Sequence, residues 1–141
     1  MAEDIKSKFL RVVDDAWNQG NLEVLDDLHT QDFILHHPPF DDRLGLDAHK
    51  QSIVNVRAGF PDFHLTIHKL VFEEGILALR WTWKGTHSSN YPEVPIPPTG
   101  KQVMVSGSHF LLVEDGKLTE GWQSSDNLGF LRQLGVIPTP V

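Results

Sequence analysis

The 141-residue sequence has no cysteine, only one tyrosine and only two methionines. The missing thiols exclude disulfides, thiolate metal sites and cysteine nucleophiles together, and they fit a reducing compartment, the cytoplasm. Basic residues are also scarce. Twelve Lys and Arg against 19 Asp and Glu give a net charge of −7. No basic cluster offsets it, which argues against nucleic acid or an anionic membrane as a partner. No apolar run approaches the ~18 residues of a membrane span. The first twenty residues carry Glu3, Asp4, Asp14 and Asp15, unlike a signal or transit peptide. Phosphate-binding loops, dinucleotide fingerprints and a nucleophile elbow are missing as well.

What is present suits one folded domain spanning residues 1–141. Ile5, Phe9, Val13, Ala16 and Trp17 recur at helical spacing and predict a helix over 3–19, stopped by Gly20. Asn21 is placed to cap a short second helix carrying Leu22, Leu25 and Leu28. A strand is predicted over "QDFILHHPP", and a third helix over 47–58 ends at "FPD". From Phe63 the apolar period becomes two. Four strands follow, with Glu74-Gly75 and Asp115-Gly116 as hairpin turns and a proline-rich loop, "GTHSSNYPEVPIPPTGK", between the middle pair. A last helix is predicted over about 127–134, with "VIPTPV" trailing it. Helices before a strand meander predict an α+β fold, a curved, mainly antiparallel sheet wrapped as a conical barrel around the long N-terminal helix.

Three stretches, "RAGFPDFHLTI", "GTHSSNYPEVPIPPTGKQV" and "VEDGKLTEGWQSSDNLGFLRQLGVIP", resemble the SnoaL-like polyketide cyclases of the nuclear transport factor-like superfamily. The resemblance covers essentially the whole chain. It implies an apolar interior cavity, a homodimer, and no metal or organic cofactor. It further implies aldol cyclisation, or a related proton transfer or isomerisation, on a small apolar carbonyl compound, with an aspartate at the end of the final strand as general acid/base. Asp126 matches that aspartate. The histidine those cyclases carry two residues earlier is here Ser124. A more distant resemblance, to ketosteroid isomerase, aligns His37 with the general base and Ser108 with the protonated oxyanion-hole aspartate. None of that enzyme's catalytic groups is retained, and strict isomerase activity is rejected.

Asp126 therefore has two readings. Asp is among the best N-caps, and Leu128, Leu131 and Leu134 follow it at helical spacing. If instead Trp122 faces the cavity, strand alternation carries Ser124 and Asp126 inside with it. A carboxyl in an apolar pocket would be tuned for proton exchange. Of the neighbours His36 and His37 only one can point inward, and His37 is the second catalytic candidate. Trp17, His36, His87, Tyr91, Ser108, Phe110, Trp122 and Ser124 are the candidate substrate contacts, with His87 and Tyr91 on the proline-rich loop over the mouth. His64 and His68 would lie about 13 Å apart along a strand, too far to share a metal. Two readings compete with the cyclase-like one: a non-catalytic ligand-binding or dimeric scaffold protein, and a hydrolase in which Asp126 activates water.

Overall fold

The computed structural model describes residues 4–138. The first helix, α1 (Ile5–Val13), begins where the Asp4 carboxylate accepts hydrogen bonds from the Ser7 backbone N–H (3.0 Å) and hydroxyl (2.9 Å). These bonds satisfy a donor that the first turn leaves free. Phe9, Val12, Val13 and Ala16 line its buried face. The expected helix does not run evenly to residue 19: after Val13 it widens into a π-helical turn, Asp14–Asn18. That turn carries Trp17, and such irregularities are frequent at functional sites. The next segment forms a single 3-10 turn, Glu23–Asp27, with no side-chain cap, so the capping role expected of Asn21 is corrected.

The sheet has six strands in the order β2-β1-β6-β5-β4-β3. They are β1 (His29–His36), β2 (Arg43–Leu44), β3 (His64–Glu73), β4 (Ile76–Thr86), β5 (Gln102–Glu114) and β6 (Lys117–Ser125). The helix α2 (Leu46–Gly59) lies between β2 and β3, and α3 (Asn127–Leu134) closes the described chain. Both expected hairpins form through two-residue turns. Glu74 and Gly75 have φ of 51° and 78°, and Asp115 and Gly116 have 50° and 77°, the doubly positive geometry that matches strand twist. The pairing of β1 with β6 is parallel; all other pairings are antiparallel. The sheet curls around α1 without closing. Among the described residues no helix is long and apolar enough to cross a membrane.

Alternation decides which side chains meet α1. Val103, Val105 and Leu111 of β5 are buried, whereas Met104 and Phe110 are 60% and 58% exposed. The β5–β6 register sets Leu111 opposite Gly121, His109 opposite Gln123 and Gly107 opposite Ser125, so Gly121, Gln123 and Ser125 share the concave face. A Cβ on Gly121 would lie 2.6 Å from Leu111 and 3.1 Å from Leu35. Trp122 is consequently an outer residue, 45% exposed.

The proline-rich loop is tied down at both ends. The His87 N–H donates to the Lys101 carbonyl (2.9 Å), and the Gly100 N–H to the His87 carbonyl (2.7 Å). Its Tyr91 backs onto Gly59, where an added Cβ would come within 2.5 Å of the Tyr91 Cβ and 2.8 Å of its Cα. Gly59→Ala should therefore lower stability by about 1–3 kcal/mol, the usual cost of overpacking. Thermal unfolding followed by far-UV circular dichroism measures this. A melting temperature equal to that of the parent would show that the loop yields without cost.

Candidate functional site

Because one helix cannot fill the concave face of a six-stranded sheet, a cavity of about 480 Å³ remains between them, within the range of small-molecule sites. Its walls are largely apolar, with Phe33, Phe63, Leu79, Trp83, Leu111 and Phe130 among them. Phe40, Pro95 and Val136 of its lining are exposed and mark the mouth, whereas His29, His49 and Leu118 are buried and mark the floor.

His37 follows β1 and lines the cavity. Its Nε2 is buried and has no partner among the described residues. The backbone of Asp41 lies near the ring and favours its charged form, but does not outweigh burial. Burial, then the nearby positive charge of Arg43, holds the pKa below the usual histidine value of 6.5. At neutral pH His37 is an unprotonated imidazole in an apolar wall, the state a general base requires.

A second histidine is fixed from the sheet. The Trp81 indole N–H donates to His109 Nδ1 at 2.7 Å. Indole only donates, so this nitrogen accepts and the proton sits on Nε2. Gln123, opposite on β6, hydrogen-bonds the same ring and passes its own amide N–H to Ser125 Oγ at 2.7 Å. Burial pushes the His109 pKa down to about 4, leaving a neutral imidazole with a directed N–H. Gly107 makes this possible, because the Trp81 ring occupies the space where a side chain would stand.

Charge enters the cavity at one place. Arg43 of β2 holds its guanidinium 3.9 Å from the Glu93 carboxylate of the proline-rich loop, and Tyr91 lies beside them. Burial, followed by the charge of Glu93, raises the Tyr91 phenol above its ordinary range, so it stays protonated beside that carboxylate. Among the described residues no group of three His, Asp or Glu side chains is placed to hold a metal ion.

Of the residues singled out from sequence, Trp17, His37 and Tyr91 line the cavity. The others lie elsewhere. Asp126 is exposed and caps α3, its carboxylate accepting from the Gly129 N–H at 2.9 Å. The expectation that it faces inward is corrected, because it shares the outer row with Trp122 and Ser124. Ser108 and Phe110 lie on that same outer surface, paired with Ser124 and Trp122. His36 is also outside, held between Asp42 (2.9 Å) and Glu120 (2.6 Å) and stacked on Trp122. His87 is fully buried but away from the cavity. It stacks on Phe60 and accepts the Thr99 N–H at Nδ1 (3.2 Å), pinning the base of the loop. His29, Arg43, His49, His109 and Gln123 were not found from sequence. The alternation Val103, Val105, His109, Leu111 was the available signal for His109, since it marks that row as the inner one.

A family model for SnoaL-like polyketide cyclases matches residues 7–134. Among solved structures, the chain is similar to a candidate polyketide cyclase from Acidithiobacillus ferrooxidans, with 29% identity, 96% of this chain and 97% of that one covered, and a TM-score of 0.81. IdmH of Streptomyces antibioticus, also a candidate polyketide cyclase, shows 28% identity, 94% and 99% coverage, and a TM-score of 0.78. AclR of Streptomyces galilaeus, a candidate hydroxylase, shows 27% identity, 97% and 84% coverage, and a TM-score of 0.81. A search of the curated proteins found no match.

The placement of Asp126 makes a sharp prediction. Asn caps about as well as Asp, so Asp126→Asn should leave stability nearly unchanged, while Asp126→Ala should cost about 1 kcal/mol. Denaturant titration of both variants reads this. Equal loss in the two would mean that the carboxylate does more than cap.

Proposed function

The chain belongs to the SnoaL-like polyketide cyclase family, and on that premise we propose that it catalyses cofactor-independent acid/base chemistry beside a carbonyl of a small, mainly apolar molecule. The reaction class is aldol cyclisation or a related proton transfer. One observation carries this reading: His37 lines a largely apolar cavity beside Arg43, and burial, then that charge, holds its pKa below the usual value. His37 removes a proton from the carbon next to the carbonyl, and the electron pair moves onto the carbonyl oxygen. Arg43 is the donor available for that oxygen, in a setting where hydrogen bonds to developing charge are strong. In an aldol closure the carbon then attacks a second carbonyl of the same molecule, and the imidazolium returns its proton to the new alkoxide. Hydrolysis through Asp126 loses its geometric support, since that carboxylate caps a helix outside the cavity. The fold by itself does not choose the reaction, as the description of AclR as a candidate hydroxylase illustrates.

The same reading includes a homodimer. Met104, Phe110 and Trp122 are large, exposed and carried by the convex face of the sheet, where an apolar patch marks an interface. A two-fold pairing of this face covers it. Sedimentation equilibrium should return twice the chain mass at micromolar concentration, and Phe110→Glu should return the monomer. A monomeric parent protein would remove this part of the proposal.

The chemistry is tested with 2-tetralone, a bicyclic ketone, in heavy water. Deuterium entry at the carbons beside the carbonyl should be accelerated by the protein. His37→Gln should slow it by about 100- to 10,000-fold, the usual contribution of a general base, with ligand affinity preserved. The base form of His37 is filled above its depressed pKa and lost as pH falls through it. The rate should therefore be flat at neutral pH and drop on the acid side at a value below 6.5. Binding of the ketone without any acceleration would identify the cavity as a ligand-binding site and end the catalytic reading.

A further inference from the structure

Two histidines at the floor of the cavity take no part in the proposed chemistry. His29, at the start of β1, is 4% exposed, and His49, on α2, is 7% exposed. Their ring centroids are 5.2 Å apart, with Phe33 5.4 Å and Trp17 5.8 Å from His49. Both line the cavity. The carbonyl of Leu25 lies 3.1 Å from His29 Nδ1. A carbonyl can only accept, so Nδ1 bears the proton and Nε2 is left as an acceptor. No group among the described residues bonds that Nε2. His49 Nδ1 is buried and likewise has no partner among the described residues.

Leaving a polar ring atom buried and unpaired, as His49 Nδ1 is, is costly. A floor that needed only to be filled would be served better by Leu or Phe. We infer that His29 and His49 form a second polar subsite, which receives a hydroxyl group of the ligand. A hydroxyl suits the subsite because it can donate to the Nε2 lone pair of His29. An anionic group does not suit it. Burial holds the His29 pKa at about 4 and that of His49 well below the ordinary value, so both rings are neutral. A carbonyl or ether oxygen, which cannot donate, leaves His29 unpaired. The substrate class thus narrows to apolar compounds that carry a hydroxyl, such as a phenol, besides the carbonyl. This inference rests on the reading of the cavity as the substrate site, but not on His37 being the base.

Binding of 2-naphthol and of 2-fluoronaphthalene, which has the same rings but no donor, is measured by quenching of tryptophan fluorescence. The parent protein should prefer 2-naphthol by about tenfold, one net hydrogen bond's worth. His29→Phe and His49→Phe should bring that ratio close to one, and His37→Gln should leave it intact. A nitrogen-15 spectrum of the parent protein gives a second readout that needs no folded variant. The His29 Nε2 resonance should move on addition of 2-naphthol and stay in place with 2-fluoronaphthalene. Equal affinity for the two probes, or a still His29 resonance, would overturn the subsite while leaving the base chemistry standing. Failure of both probes to bind would overturn the subsite and the reading of the cavity together.

Discussion

Strand alternation, pinned at Gly121, is the constraint on which the site depends. Leu35 of β1 and Leu111 of β5 close over Gly121 so tightly that no side chain fits there. Once Gly121 is inside, Gln123 and Ser125 must be inside and Trp122, Ser124 and Asp126 outside, because the side-chain period is two. A slip of one residue would exchange the two rows. It would put a helix-capping carboxylate in the cavity and expel the amide that orients His109. The chemistry of the pocket is thus set by a packing contact remote from any reacting atom.

Low polarity then governs how the titratable groups behave. His29, His37, His49 and His109 all have depressed pKa values with burial as the leading cause. Each is a neutral ring at physiological pH. For His29 and His109 the hydrogen-bonding role is fixed by what one nitrogen touches, a Leu25 carbonyl and a Trp81 indole. His36 shows the contrast: on the outer face, Glu120 and then Asp42 hold its pKa above the ordinary value. One residue further along the chain, the same side chain changes from a proton holder to a candidate proton acceptor. The difference is which face of the sheet it meets.

Most of the fold was legible in the sequence because helical spacing, the Glu74-Gly75 and Asp115-Gly116 turns and the prolines are local signals. The two-residue strand Arg43–Leu44 and the π-helical turn at Asp14–Asn18 are set by tertiary contacts and left no such mark. The site was legible only in part. Trp17, Tyr91 and His37 line the cavity, while Trp122, expected among the substrate contacts, lies outside. The inner row of β6, Gly121-Gln123-Ser125, borders the cavity and carries polar or missing side chains. Read by composition alone, it looks like a solvent face. The neighbouring strand held the better clue, since β5 repeats Val103, Val105 and Leu111 at period two, and the short Asp115-Gly116 turn transmits that register to β6. His29 and His49 come from different elements, and only the packing of α2 against β1 brings their rings together.

The protonation state of His37 is the point at which fold, electrostatics and proposed chemistry meet. It is read directly by two-dimensional nitrogen–proton spectroscopy of the imidazole rings in the ligand-free protein across a pH series. The expected spectrum has His37 as a neutral ring titrating below 6.5. A His37 ring titrating above 6.5 would contradict the assignment of this residue as the base.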